Sequence, residues 1–281
     1  MTGPASSSDA GDTVTRLHDW GHTINLVGVS PRLLGSTEFN DRPTALPIGG
    51  VREMFSGLFE MFEESQSAED AALAFELYMA AVFGLDGEQR PAGGSSRRFL
   101  SNYIRLLRGW GYDSNSPEGA VLKGWVESRF GLFPTFHREP LGNYTSAAWM
   151  TYVEEKMGSR FHNNSIQTQL DLLYEFCQYS LRRFFLDGRS HLTLFRGVNG
   201  FDEQILIERL GRRKAVVRLN NLASFTPDRD IAGEFGDVIL ETQVPAVKVL
   251  FFSKLMTRHA LKGEAEYLVL GGDYRVTYGY L

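Results

Sequence analysis

Apolar residues recur at three- and four-residue spacings over 51–64 and again over 68–83, which predicts two amphipathic helices. The longest such pattern covers 166–186, where Ile166, Leu170, Leu173, Tyr174, Cys177, Leu181, Phe184 and Phe185 fall on one stripe. A stripe of this kind reads as core, and Asp187-Gly188 closes the helix. Between these segments, Ser95 or Ser96 is positioned to cap a helix ending near Trp110. Ser116-Pro117-Glu118 opens another, with proline in its first turn. The stretch 130–144 mixes aromatics, prolines and glycines and reads as a long connection before a short helix over 147–157. After Gly188 the texture changes. Short runs rich in branched and aromatic residues occupy 192–198, 215–219, 238–244, 247–252, 267–270 and 274–280, punctuated by Pro245 and by Gly271-Gly272-Asp273. The expected architecture is α+β, helical first and β-rich second.

This divides the chain into a disordered tail over 1–13, a mainly helical part over 14–187 and a β-rich part over 188–281, the two parts able to pack as one unit. At 281 residues and 43% hydrophobic, there is ample material for a core. A net charge of −5 gives no general pull toward nucleic acid or acidic membrane. The most hydrophobic segment, 71–85, is interrupted by Glu76 and falls short of a membrane span, and the first residues lack a secretory h-region. A cytoplasmic protein is expected. Cys177 is the single cysteine and sits in the apolar stripe, so it reads as buried filler and not as a nucleophile. His18 and His22, four apart in a loop-rich lead-in, have no obvious third ligand, and no metal site is expected. Gly93-Gly94-Ser95-Ser96-Arg97-Arg98 lacks the Lys-Ser/Thr ending of a phosphate loop and reads as a cap with a basic edge.

Chemistry concentrates in three short motifs of the β-rich part. Arg196 ends the strand-like run Leu192–Val198, and a guanidinium pairs two phosphate oxygens at once. Gly197 beside it permits close backbone approach. Ser224 and Thr226 flank Phe225, so in extended chain both hydroxyls face one way and can fix a carboxylate. Glu264 and Glu266 flank Ala265 at the mouth of an apolar run. As strand neighbours they would share a face about 6–7 Å apart. Each motif alone also fits a solvated strand end or a turn cap.

Taken in this order, the motifs resemble the arginine-specific mono-ADP-ribosyltransferases, a family marked by an Arg, a Ser-x-Ser-like segment and Glu-x-Glu. The wider text, from GHTINLVGV through STEFND, FRGVNGFDEQ and NNLASFTPDRDIAGEFGD to KGEAEYLVLGGDY, is similar to the branch acting on dinitrogenase reductase, the nitrogenase iron protein. Thr226 departs from the second serine of many relatives but keeps the hydroxyl. The resemblance implies a catalytic fold of two small, mainly antiparallel sheets. It implies NAD⁺ as donor, an arginine of dinitrogenase reductase as acceptor and no metal. It also implies a role for the helical part in binding the iron protein or a PII-type signalling protein, although a scaffold role fits equally.

Under that resemblance Arg196 holds the pyrophosphate, with Gly197, Ser224, Phe225 and Thr226 around the dinucleotide. Ser224 would orient Glu266, which would hold the ribose 2′-hydroxyl and oppose the positive charge developing on the sugar. Glu264 would pair with the acceptor guanidinium, a poor nucleophile while protonated. Phe225 and Phe235 are candidates to stack on nicotinamide. Two rivals remain open: an NAD glycohydrolase, which would need only one acid, and a non-catalytic interaction module, which would need none of these residues.

Overall fold

The computed structural model describes residues 25–85, 101–201, 204–256 and 265–280. The expected tail over 1–13, His18, His22, the segment Gly93 to Arg98 with its candidate caps Ser95 and Ser96, and Glu264 lie outside the described residues.

Two short helices, α1 (Pro31–Leu34) and α2 (Thr37–Asp41), lead in. The single helix expected over 51–64 is two, α3 (Val51–Met54) and α4 (Ser56–Glu64), because Phe55 leaves helical geometry at φ −117°. Next comes α5 (Ala68–Phe83), capped by the Ser67 side chain and closed by Gly84 in the left-handed region. Helix α6 (Tyr103–Tyr112) is capped by Asn102, and α7 (Pro117–Phe130) by Ser116 with proline at its start, as read from the sequence. Then follow α8 (Ala147–Lys156) and α9 (Ile166–Ser180). Helix α9 continues through a π-turn, Leu181–Phe185. That turn shifts the helical register, which explains why Phe184 and Phe185 are only partly buried although they extend the stripe.

Helix α9 is buried on more than its stripe. Two of its carboxylates lie inside and both are paired. Asp171 accepts from Trp125 Nε1 at 2.7 Å and from Arg129 Nε and Nη2 at 2.8 and 2.9 Å. Glu175 accepts from the Ile48 N–H and from Arg52 Nε, each at 2.7 Å. Such charges persist inside a protein only when hydrogen-bonded, so these bonds fix α9 against α7, α3 and the residues just before α3.

The β-rich part forms one six-stranded antiparallel sheet where two small ones were expected. Its strands are β1 (His191–Val198), β2 (Ile205–Gly211), β3 (Lys214–Phe225), β4 (Val238–Pro245), β5 (Val249–Phe252) and β6 (Tyr267–Tyr280), with α10 (Arg229–Gly233) after β3. The order is β1-β4-β6-β3-β2, and β5 pairs with β6. The long strands β3 and β6 carry both ends of the sheet: 267–270 pairs with β5 and with 222–225, whereas the later part of β6 pairs with 214–219 and β4. Gly271-Gly272-Asp273 does not end β6 as expected. A Cβ on Gly271 would collide with the Asn220 carbonyl oxygen, and Gly272, at φ +114°, would bring one within 2.6 Å of the Gly35 carbonyl oxygen. These glycines permit close backbone contact opposite the bulge between Leu219 and Leu222. Strand β2 escaped the sequence reading because it is an edge strand, with Leu206, Ile207 and Leu210 partly open to solvent.

One hydrophobic cluster runs from Val27 to Tyr278 and draws on helices and sheet alike. No helix among the described residues is long and apolar enough to cross a membrane.

Lys248 is fully buried in this core, its Nζ 5.4 Å from the Phe39 ring and 5.0 Å from the Tyr274 ring. Burial pushes its ammonium down from 10.5 to about 7. Between those values the unfolded chain binds the proton and the folded chain does not, so stability rises with pH through that window and the full cost falls below about 7. Buried Lys123 titrates in the same direction, to about 7, for the same reason. Lys248→Met keeps the volume and removes the buried charge. It is expected to stabilise the fold by about 1 kcal/mol or more at pH 7 and to flatten the rise above it. Urea unfolding at pH 7 and 9 checks both.

Candidate active site

Strand β1 places Arg196 beside the end of β3. Phe195 and Thr226 exchange both backbone hydrogen bonds, N–H to carbonyl at 2.7 and 2.9 Å, which closes the two strand ends together. Arg196 Nη1 then donates to the Ser224 carbonyl at 2.8 Å. Burial pushes the guanidinium below its usual value, and the nearby Glu266 carboxylate opposes the shift. Close approach at Gly197 is real, since a Cβ there would collide with the Ala232 carbonyl oxygen of α10. Asp228 caps that helix by accepting from the Asp230 and Ile231 N–H groups.

Ser224 and Glu266 meet through sheet register. Ser224 pairs with Leu268 and Phe225 with Tyr267, so Glu266 is the diagonal neighbour of Ser224 on the same face. Ser224 Oγ donates to Glu266 Oε1 at 2.5 Å. Glu266 is only 5% exposed yet lines the cavity in front of it. Trp110, near the end of α6, approaches the same pair. Its Nε1–H lies 2.9 Å from Ser224 Oγ and 3.1 Å from Glu266 Oε1. Nothing in the spacing along the chain marks this residue, whose carboxylate partner lies 156 positions away.

The cavity, about 380 Å³, is lined by Arg196, Gly197, Ser224, Phe225, Thr226 and Glu266, with Trp110 and Phe235 also on its wall. A second hollow of about 600 Å³ shares Arg196, Ser224 and Trp110 and extends toward Asn220 and Arg218. The sequence-derived residues among those described therefore come together. Their roles differ in detail. Phe225 belongs to the core, 3% exposed and near Tyr274, whereas Phe235 is 51% exposed at the cavity. The Thr226 hydroxyl accepts from the Asp228 N–H at 3.2 Å and so serves the turn into α10.

Strand β6 begins at Tyr267, and Ala265 has φ +46°, so Glu266 precedes the strand instead of lying within it. Glu264 lies outside the described residues. Cys177 is buried, its thiol pushed well up by burial, and its Sγ donates toward the Val249 carbonyl oxygen at 3.5 Å. Among the described residues no group of three or more His, Cys, Asp or Glu is arranged to hold a metal ion.

A positive arm, an oriented carboxylate and an exposed aromatic ring on one cavity suit an anionic, sugar-bearing ligand with a planar end. Residues 24–278 match the family model described as dinitrogenase reductase ADP-ribosyltransferase. A protein of Rhodospirillum rubrum named NAD(+)-dinitrogen-reductase ADP-D-ribosyltransferase is 60% identical over 265 residues, covering 93% of this chain and 96% of the relative. No solved structure matches the chain.

Proposed function

The chain belongs to the dinitrogenase reductase ADP-ribosyltransferase family, and on that premise we propose that it transfers ADP-ribose from NAD⁺ to an arginine of dinitrogenase reductase, releasing nicotinamide and inactivating nitrogenase. The observation that carries the reading is the convergence of Arg196, Ser224 and Glu266 on one cavity.

The side chains fit a dinucleotide. Arg196, held from the Ser224 carbonyl by one nitrogen, has donors left for the pyrophosphate and would fold it over Gly197. Glu266 accepts the ribose 2′-hydroxyl and opposes the positive charge that develops as the bond to nicotinamide lengthens. Nicotinamide leaves as a neutral group, so the site needs no acid to protonate it. Ser224 fixes the carboxylate. The exposed ring of Phe235 is the better placed of the two phenylalanines to stack on nicotinamide. The acceptor guanidinium holds its proton up to a pKa above about 12 and is a poor nucleophile in that form. Glu264 pairs with it, orients it and takes a proton during attack. The protein works in the cytoplasm, where the iron protein and a PII-type regulator would meet it.

Intact-mass spectrometry of dinitrogenase reductase after exposure to this protein and NAD⁺ tests the reading. One ADP-ribose increment on an arginine is the expected result. Nicotinamide release without any increment would assign a glycohydrolase, and neither release nor NAD⁺ binding would assign a non-catalytic module.

A further inference from the structure

We propose that Trp110 is a positioning residue for the catalytic carboxylate, so that the helical part completes the active site which the sheet alone leaves unfinished. The inference rests on the reaction assigned above and adds to it a residue from outside the three strand motifs.

The geometry is specific. One indole N–H lies within hydrogen-bond reach of two oxygens, Ser224 Oγ at 2.9 Å and Glu266 Oε1 at 3.1 Å, while Ser224 Oγ itself donates to Oε1 at 2.5 Å. Oε1 is therefore held by two donors from two elements, and the carboxylate cannot rotate without losing both. Donors to an ionised oxygen are stronger than neutral ones, and an indole N–H can only donate. Trp110 is itself 4% exposed, and the Lys123 ammonium stands 5.9 Å from its ring on a separate contact.

Helix α6 is anchored in a way that keeps this ring in place. At its start Asn102 Oδ1 accepts from the Arg105 N–H at 2.8 Å, and Gln169 Oε1 of α9 accepts from the Tyr103 N–H at 3.0 Å. Just upstream, Ser101 Oγ donates to the Arg160 carbonyl at 2.6 Å and the Ser101 N–H to Asn163 Oδ1 at 2.7 Å. Near its end Gly109 lies so close to Glu118 that a Cβ would collide with that side chain, which brings α6 tightly against α7. Past Trp110 the chain continues as Gly111 to Ser114 along the wall of the same cavity. The helical part thus delivers both a hydrogen-bond donor and one side of the site.

Trp110→Phe keeps a ring at the position but removes the N–H together with the five-membered half of the indole, so some packing is lost with the donor. Turnover for nicotinamide release is expected to fall about ten- to a hundred-fold, with the Kd for NAD⁺ close to wild type. Because Trp110 and Ser224 act on the same oxygen, the combined loss in the Ser224→Ala, Trp110→Phe double variant should fall well short of the product of the single losses. A purely packing role would instead give losses that multiply with Ser224→Ala. A second readout needs no change at Trp110. In protein carrying ¹⁵N-labelled tryptophan, Glu266→Gln should displace the Trp110 indole signal and leave that of Trp125, bonded to Asp171, in place. Trp110→Phe turnover within twofold of wild type, multiplying losses or an unmoved Trp110 signal would each overturn the proposal. Wild-type protein that releases no nicotinamide would instead overturn the underlying function, which keeps the two failures distinct.

Discussion

Glu266→Gln is expected to lose both arginine modification and NAD⁺ cleavage, with kcat down about 10²-fold or more. The substitution is close to isosteric. The amide oxygen can still accept from Ser224 Oγ and Trp110 Nε1, so the site should keep its shape. What disappears is a fixed negative charge on a residue only 5% exposed, where electrostatic effects are weakly screened. The loss should therefore appear in turnover and much less in NAD⁺ affinity, which Arg196 is expected to carry. Parallel assays of nicotinamide release and of label incorporated into dinitrogenase reductase measure it. Near-normal transfer by Glu266→Gln would remove the carboxylate from the mechanism.

Glu264→Gln is expected to separate the two activities. Transfer to arginine should drop about 10²-fold or more, the cost of removing a preorganised charge that meets a cationic acceptor, while slow NAD⁺ hydrolysis persists. Water needs no partner carboxylate to be oriented as a guanidinium does, and Glu266 remains to support cleavage. The ratio of nicotinamide released to ADP-ribose attached is the quantity to follow: near unity with saturating acceptor in the wild type, and many-fold higher in the variant. A ratio that does not move would leave Glu264 without an acceptor role.

Much of the site was legible because its residues sit in short motifs on strands that become neighbours. Arg196 is near the end of β1, Ser224 is near the end of β3, and Glu266 precedes β6. The register Phe225 with Tyr267 and the Phe195–Thr226 bridge then bring them together without any further device. The helical stripe over α9 and the proline-initiated α7 were equally plain, since periodicity and capping are local signals. What stayed hidden depended on contacts made far away in sequence. Trp110 marked only where a helix was expected to end, and only the folded chain brings its N–H to a carboxylate. The Asn220-Asn221 pair carries no local signal of its contacts. In the structure Asn221 Nδ2 donates to the Lys123 and Leu132 carbonyls, and Asn220 Oδ1 accepts from the Thr135 N–H, which stitches β3 to the connection after α7. Gly271-Gly272 looked like a turn because glycine pairs usually are. Here they serve close packing inside one strand.

A crystal structure with a non-hydrolysable NAD⁺ analogue tests the central claim most directly. The expected result has the pyrophosphate on Arg196, the nicotinamide-side ribose within hydrogen-bond distance of Glu266, and Trp110 still donating toward Oε1. An analogue bound instead in the hollow between Arg52, Arg182 and Arg189, with the Glu266 cavity empty, would contradict it.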